Sequence, residues 1–354
     1  MMKQHIVKVG ITHGDINGIG YEVIMKALMD NRIMENCTPI VYGSPKVAAY
    51  HRKALDINTF SFNHINSADE AIPKRPNIIN CIDENIRVEL GKSTKMAGEA
   101  SYMALEAAVK DIKEGKIDVL ITAPINKENI QSNVFHFPGH TQYLAEEFRA
   151  EDHLMLMVSN DLKVGVVTEH IPLSKVASTL STDMILSKLR VLNRTLMEDF
   201  TLHKPRIAVL ALNPHAGDHG LIGDEEEREI IPAIRTANEE GIIAMGPYPA
   251  DGFFGSSDYK KFDAILAMYH DQGLTPFKLA SFESGVNFTA GLPIVRTSPG
   301  HGTAYSLAGE GIASEDSFRN ALYLAIDLFL NREQYKEFSK DPLQSQEIDR
   351  SGGE

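Results

Sequence analysis

Short apolar runs alternate with helix-period stretches along most of this chain, and that alternation constrains its fold more than any other feature. Residues 6–11 and 39–42 read as strands, the second closed by Gly43. Between Ser101 and Gly115, Tyr102, Leu105, Val109 and Ile112 fall on one helical face, with Gly115 as a stop. Residues 117–123 return to a strand broken by Pro124, and residues 207–212 form the cleanest buried strand, set between Pro205 and Pro214. Residues 154–158 and 164–168 flank Asn160-Asp161 and read as an antiparallel hairpin, and residues 264–268 as a further strand. Asp224-Glu225-Glu226-Glu227 has the form of a capping box with an acidic first turn, leading a helix to about Glu240. Phe318, Leu322, Ala325 and Phe329 mark a last amphipathic helix, and residues 341–354 read as a frayed polar tail. The pattern predicts an α/β fold: a mostly parallel sheet with helices on both faces, the hairpin adding an antiparallel edge.

At 354 residues the chain exceeds one compact core, and at ~150 residues per domain it predicts two domains or one large unit with lobes. Hydrophobic residues at 43% and charged residues at 23% exclude a disordered, collagen-like or coiled-coil protein. Lys and Arg total 35 against 48 Asp and Glu, and the resulting charge of -13 argues against nucleic-acid binding. A small phosphorylated ligand, which needs only one local basic cluster, stays open. Cys37 and Cys81, with no CxxC, read as ordinary thiols in a reducing compartment. No signal-peptide run and no stretch near ~18 apolar residues is present, so a cytoplasmic protein without membrane spans is expected.

Two glycine motifs fall short of familiar patterns. Gly91-Lys92-Ser93 imitates the end of a P-loop, but Ile86 stands where its first glycine belongs. Gly14-Asp15-Ile16-Asn17-Gly18-Ile19-Gly20 follows a strand yet meets Val23 instead of a third glycine, and no acid follows the next strand. The histidines say more. His170, His215 and His270 each stand where an apolar strand gives way to a polar loop, the place where parallel sheets build sites. Singly, each is more often a hydrogen-bonded structural residue; together they suit one divalent ion with positions left open for substrate. Lys278, Asn287 and Arg296 accompany a glycine-punctuated stretch, residues 285–293, with the character of a loop approaching a ligand. Lysine and arginine there suit a phosphate dianion, although either alone is commonly surface charge. Pro138-Gly139-His140-Thr141 offers an imidazole and a hydroxyl, and Ser298-Pro299-Gly300-His301-Gly302-Thr303-Ala304 suits a loop wrapped around a nucleotide.

Taken together, six segments make the chain resemble the 4-hydroxythreonine-4-phosphate dehydrogenases, NAD-dependent enzymes of pyridoxal phosphate biosynthesis. They are Gly14-Asp15 with Gly18-Ile19-Gly20, Ala123-Pro124-Ile125-Asn126-Lys127, Gly139-His140-Thr141, Leu212-Asn213-Pro214-His215-Ala216-Gly217, Tyr269-His270-Asp271-Gln272-Gly273-Leu274 and His301-Gly302-Thr303-Ala304. The resemblance implies two α/β/α lobes with mixed, mostly parallel sheets and a cleft between them, as in isocitrate and isopropylmalate dehydrogenases. Residues 1–135 with 300–354 would form the nucleotide-side lobe, and 136–299 the metal, substrate and dimerisation lobe. It implies a homodimer with the active site at the subunit interface, and a divalent cation (zinc, magnesium, cobalt or nickel) on His170, His215 and His270, one of them contributed across that interface. His140, Thr141, Lys278, Asn287 and Arg296 would hold the substrate. Gly14, Asp15, Gly18 and Gly20, with His301, Gly302, Thr303 and Ala304, would bind NAD. Asp251 is a candidate proton acceptor. The implied reaction oxidises 4-phosphohydroxy-L-threonine at C3, followed by decarboxylation; a four-carbon sugar-acid phosphate is the alternative substrate. A phosphate acyltransferase and a non-catalytic metal or ligand-binding protein are the more distant readings. One departure stands out: where the family reads Gly-Asp-Pro-Ala-Gly-Ile-Gly-Pro-Glu, Ile16 and Tyr21 replace the two prolines and Asn17 the alanine.

Overall fold

The apolar runs of the sequence become strands buried on both faces of one sheet, which is why they read as continuous rather than alternating. The computed structural model describes residues 6–83 and 85–341, so most of the polar tail lies outside the described residues. Its strands are β1 (Val7–Thr12), β2 (Cys37–Gly43), β3 (Asn63–Ile65), β4 (Asn77–Asn80), β5 (Val119–Thr122) and β6 (Leu154–Val158), followed by β7 (Lys163–Thr168), β8 (Arg206–Leu210), β9 (Ile243–Tyr248), β10 (Ala264–Tyr269), β11 (Val286–Ala290) and β12 (Val295–Pro299). They lie in the order β3-β4-β2-β1-β5-β12-β11-β6-β7-β10-β8-β9.

The strands from β3 to β12 in that order pair in parallel, as do those from β7 to β9. Between the two blocks, β12/β11, β11/β6 and β6/β7 are antiparallel, so the blocks run in opposite directions. The fold is therefore mixed, mostly parallel α/β, as the alternation predicts. The β6–β7 hairpin forms as expected, but at the centre of the sheet rather than its edge, because β6 pairs with β11 on its other side.

Helices cover the sheet with small or aliphatic faces. The Lys95–Lys113 helix buries Ala97, Ala100, Ala104, Leu105, Ala108, Val109 and Ile112, and Gly115 beyond it adopts a positive φ. Close approach explains Gly98, where a Cβ would sit 2.0 Å from the Asn129 carbonyl oxygen. The Asp316–Phe338 helix buries Phe318, Leu322 and Ala325, and its Ala321 carbonyl accepts from Thr297 Oγ1 at 2.8 Å.

Two expectations from sequence are corrected. Residues 285–293 are not a loop: residues 286–290 are β11, a central strand whose pairing with β6 and β12 outweighs its flanking glycines. Nor is Asp224-Glu225-Glu226-Glu227 a capping box. The first helical turn, Glu226–Ile230, is a wide π turn without a side-chain cap, and its Glu226 carboxylate is taken by a loop elsewhere.

His13, Tyr21 and His51 stack in series beneath the first glycine-rich segment, with centroid spacings of 5.3 and 5.1 Å. His51 Nε2–H donates to the Ile16 carbonyl at 2.8 Å, whereas neither ring nitrogen of His13 has a hydrogen-bond partner. Burial pushes both imidazoles down to about 4. The unfolded chain therefore binds more protons than the folded one between pH 6.5 and about 4, and stability falls as pH drops through that window. Each ring should cost about 2 kcal/mol at pH 5 relative to neutral pH. Urea unfolding at both pH values measures this, and His13→Leu should remove its share while leaving neutral-pH stability nearly unchanged.

Candidate active site

One face of the four central strands forms the floor of a cleft. Alternation along each strand brings Thr122 of β5, Arg296 and Ser298 of β12, Asn287 of β11, and Met155 and Met157 of β6 to the same side. The walls are residues 122–127, the start of the His140–Glu147 helix, the His270–Ser281 helix, His170, and residues 299–302. His270, Leu274 and Lys278 recur every four residues and so share the helix face that meets the cleft. The enclosed volume is about 280 Å³. That suits a small phosphorylated acid and part of a nucleotide, not a whole dinucleotide.

Arg296 is the dominant charge. It is 3% exposed, and its guanidinium donates to the Thr122 hydroxyl (3.0 and 2.6 Å) and the Thr289 hydroxyl (2.9 Å), with no carboxylate among these partners. Burial lowers its pKa to about 10, so it remains a cation at neutral pH. A buried cation without a counter-ion is costly by several kcal/mol, and an anionic ligand offsets that cost. His140 is held well below its ordinary range by burial and then by Arg296 and Lys127, so it is neutral. Three more buried atoms at the cleft lack hydrogen-bond partners: His140 Nε2, Asn287 Oδ1 and His301 Nε2. A bound ligand or ordered water in the cleft would complete these atoms.

At the opposite end, the His170 and His270 rings lie with centroids 5.6 Å apart, just past the adjacent parallel strands β7 and β10. His270 Nδ1 is 2.7 Å from the Asp271 carboxylate, which leaves Nε2 free. His170 Nε2 lies 3.2 Å from Lys127 Nζ and so accepts from the ammonium, a lone pair already turned to a cation. Burial and Lys127 lower the His170 pKa, and burial lowers that of Lys127. A carboxylate behind His270, whose Nε2 is free, and a His170 lone pair already turned to a cation form a donor set that fits a divalent ion. Among the described residues of a single chain, however, no three His, Cys, Asp or Glu side chains are grouped to hold a metal.

His215, the third ligand expected from sequence, is not grouped with them. It follows β8, the other neighbour of β10, yet it is exposed and lies outside the cleft of its own chain. His215, Ala216, Gly217, Asp218 and His219 are all left-handed, with φ of 52, 55, 78, 44 and 57°. Such backbone costs about 1–2 kcal/mol per residue carrying a Cβ, so the turn is held against its preference. Gln272 ties this strand end to that of His270: its amide donates to the Ala211 carbonyl (2.6 Å) and accepts from Met268 N–H (2.7 Å).

The expected nucleotide residues divide. His301 and Gly302 line the cleft; His301 Nδ1–H donates to the Gly302 carbonyl at 3.0 Å. Gly14, Gly18 and Gly20 instead face the chain's own backbone, at the carbonyls of Pro124, Thr303 and His13. Asp15 is buried and accepts from Tyr305 Oη (2.8 Å), Asn129 Nδ2 (2.8 Å) and Asn17 N–H (2.8 Å). That segment therefore braces the 303–305 turn, in which Ala304 is left-handed, rather than lining the cleft. Asn17 fastens a further stretch, bonding Lys92 O, Thr94 Oγ1 and Glu89 N–H. Asp251 is exposed, accepts from Gly252 N–H at 2.7 Å, and does not line the cleft of its own chain. Lys127 and Thr122 were not singled out from sequence, although the strand carboxyl end that carries them was visible. A larger hollow of about 700 Å³ beside Arg332 lies elsewhere, but Asp199 already pairs that guanidinium.

The chain and its mixed α/β fold are matched by known proteins. A model of the pyridoxal phosphate biosynthetic protein PdxA family matches residues 35–325, and the chain belongs to that family. It is 54% identical to a Bacteroides thetaiotaomicron protein named 4-hydroxythreonine-4-phosphate dehydrogenase, over 98% of this chain and 95% of that one. A relative from Oceanobacillus iheyensis, provisionally named D-threonate 4-phosphate dehydrogenase, is 40% identical over 93% and 99% of the two chains. A crystal structure of 4-hydroxythreonine-4-phosphate dehydrogenase from Klebsiella pneumoniae superposes with TM-score 0.79 at 34% identity, covering 93% of this chain and 99% of that one. Isocitrate dehydrogenase from Methylococcus capsulatus shares the fold alone, with TM-score 0.50 at 10% identity over 95% and 89% of the chains.

Arg296 makes a direct test. Millimolar inorganic phosphate should raise the melting temperature by about 2 °C at tenfold its Kd. Arg296→Met should abolish that shift without lowering the stability of the phosphate-free protein, since it removes an uncompensated buried charge. Differential scanning calorimetry with and without phosphate reads both effects.

Proposed function

We propose that this chain is a NAD-dependent and divalent-metal-dependent 4-hydroxythreonine-4-phosphate dehydrogenase, active as a homodimer. The observation that carries the reading is the single cleft joining an uncompensated Arg296 to the His170–His270 pair. A phosphate at one end and a hydroxyl at the other describe a short phosphorylated hydroxy acid. Arg296 and Lys278 supply the charge for the phosphate, while Asn287, His140 and Thr141 supply directional hydrogen bonds. Fixing that end sets the register of C3 along the cleft, which is most of what a hydride transfer requires of a protein.

His170, His270 and His215 of a second copy would hold the divalent ion, whose chemistry is to acidify the C3 hydroxyl and polarise the resulting carbonyl. NAD, when bound beside His301 and Gly302, would supply the hydride acceptor for C3, with the hydroxyl giving up its proton. The 3-oxo acid would then break its C1–C2 bond, releasing carbon dioxide, and C2 would take up a proton from solvent to give 3-amino-2-oxopropyl phosphate. His140 and His301, both held neutral by burial, can accept hydrogen bonds from substrate or nicotinamide without adding charge. His301 and Gly302 border the cleft where the nicotinamide end would enter, leaving the adenosine outside, over the 303–309 turn.

The relative from Oceanobacillus iheyensis favours one alternative, a four-carbon sugar-acid phosphate substrate. It keeps the phosphate, C3 hydroxyl and carboxylate and exchanges the amine for a hydroxyl.

NADH formation measured by absorbance tests the proposal. 4-Phosphohydroxy-L-threonine should be oxidised by the metal-loaded protein, fail after chelation, and recover on restoring zinc, cobalt, nickel or magnesium. His270→Ala should lower both bound metal and turnover, the latter on the order of 100-fold or more. Turnover of D-threonate 4-phosphate alone would transfer the assignment to the sugar acid. No turnover of either acid with any metal would reject the dehydrogenase reading.

A further inference from the structure

The left-handed turn carrying His215 is held by a carboxylate that the reaction itself does not use. Glu226 is 2% exposed and lies at the start of the wide π turn of residues 226–230. Its Oε1 accepts from the backbone N–H groups of Leu212 (2.8 Å) and Asn213 (2.7 Å), and its Oε2 accepts from Asn213 Nδ2 (2.9 Å). Glu225 takes the other side of that amide at 2.7 Å. Gly217 is needed because a Cβ there would meet Glu226 Oε2 at 2.7 Å and the Gly223 carbonyl oxygen at 2.8 Å. Gly217 O then closes the turn, accepting from the N–H groups of Gly220 and Ile222 at 3.0 Å each. Every group Glu226 binds belongs to the two residues before Pro214, and its flank is the residue two after His215.

We propose that Glu226 is a positioning residue for metal binding: it fixes the strained turn in the one arrangement that presents His215 outward, away from its own cleft and toward that of a second copy. This rests on the reading of His215 as a metal ligand. The physical case is that a left-handed run of residues with Cβ atoms relaxes unless something over-determines it. A buried carboxylate accepting amide hydrogens on both oxygens does so, since charge-assisted hydrogen bonds are the strong ones. The π turn is part of the same device. Glu226 is its first residue, and such turns recur at functional sites. Gln272, bonded to Ala211, joins the base of the turn to the strand end that bears His270, so both ligand positions are set from one scaffold.

The test is a double-mutant cycle read by cobalt(II) binding, using calorimetry for affinity and the visible spectrum of the bound ion for geometry. Glu226→Gln keeps the size and the acceptor for the two backbone N–H groups but sets its amide against that of Asn213. It should weaken cobalt binding about 10–100-fold and change the spectrum, while phosphate binding at Arg296 stays as in the parent protein. In a His215→Ala background the same change should have no further effect on cobalt affinity, because Glu226 acts through His215. Gly217→Ala, which displaces the turn from its other side, should reproduce the loss, and serves if Glu226→Gln does not fold.

Parent-like cobalt affinity and spectrum in Glu226→Gln would overturn the proposal, as would additive losses in the His215→Ala background or an equal loss of phosphate binding. If His215→Ala itself binds cobalt as the parent does, the fault lies in the ligand reading beneath it, and the proposal falls with that reading.

Discussion

The buried guanidinium of Arg296 is the constraint around which the cleft is organised. It sits on β12, in the floor of the sheet, with two threonine hydroxyls as hydrogen-bond acceptors and neither of them charged. Burial, and then this cation, hold the His140 pKa well below its ordinary range and keep that ring neutral, while the cation favours an anion in the cleft. The strand register then decides what lies opposite. Asn287 pairs with Ser298 on one side and Met157 on the other, so the polar floor continues into β11 before it becomes apolar at β6. The phosphate end of the proposed substrate is thus set by rigid sheet, while the histidine end is set by strand termini and turns.

That division explains what was legible in the sequence. The buried strands announced themselves because they are apolar on both faces and bounded by Pro and Gly, and their order along the chain was enough for the fold class. Arg296, Lys278 and Asn287 could be picked as a group, but not placed: residues 285–293 look like a loop by glycine content, and only pairing on both edges makes β11 a central strand. The acidic run at 224–227 misled for a related reason. A capping box is a local signature, whereas Glu226 is claimed by a loop whose amides come from more than ten residues upstream.

The glycine-rich first segment teaches the complementary lesson. Its glycines are required by the chain's own backbone, at Pro124, Thr303 and His13, and its aspartate braces Tyr305. Burial and that contact push the Tyr305 phenol up to about 12, so it stays a donor to Asp15. Ile16, Asn17 and Tyr21, the residues that depart from the family pattern, are all buried; Asn17 and Tyr21 carry specific contacts, to residues 89–94 and to the His13 and His51 rings. A segment that looks like a ligand loop in sequence is here packed behind the 303–305 turn.

The proposed metal site needs three imidazoles, and of these His170 and His270 line the cleft of one chain while His215, after β8, lies outside it. Mixing separately purified His215→Ala and His270→Ala proteins under conditions that exchange subunits measures this most directly. If the two copies share ligands, half the dimers are mixed and each has one intact site. Inactive parents should then yield about a quarter of unmodified activity, following the symmetry of a two-fold interface. Mixtures as inactive as their parents, with exchange verified by mass, would contradict it.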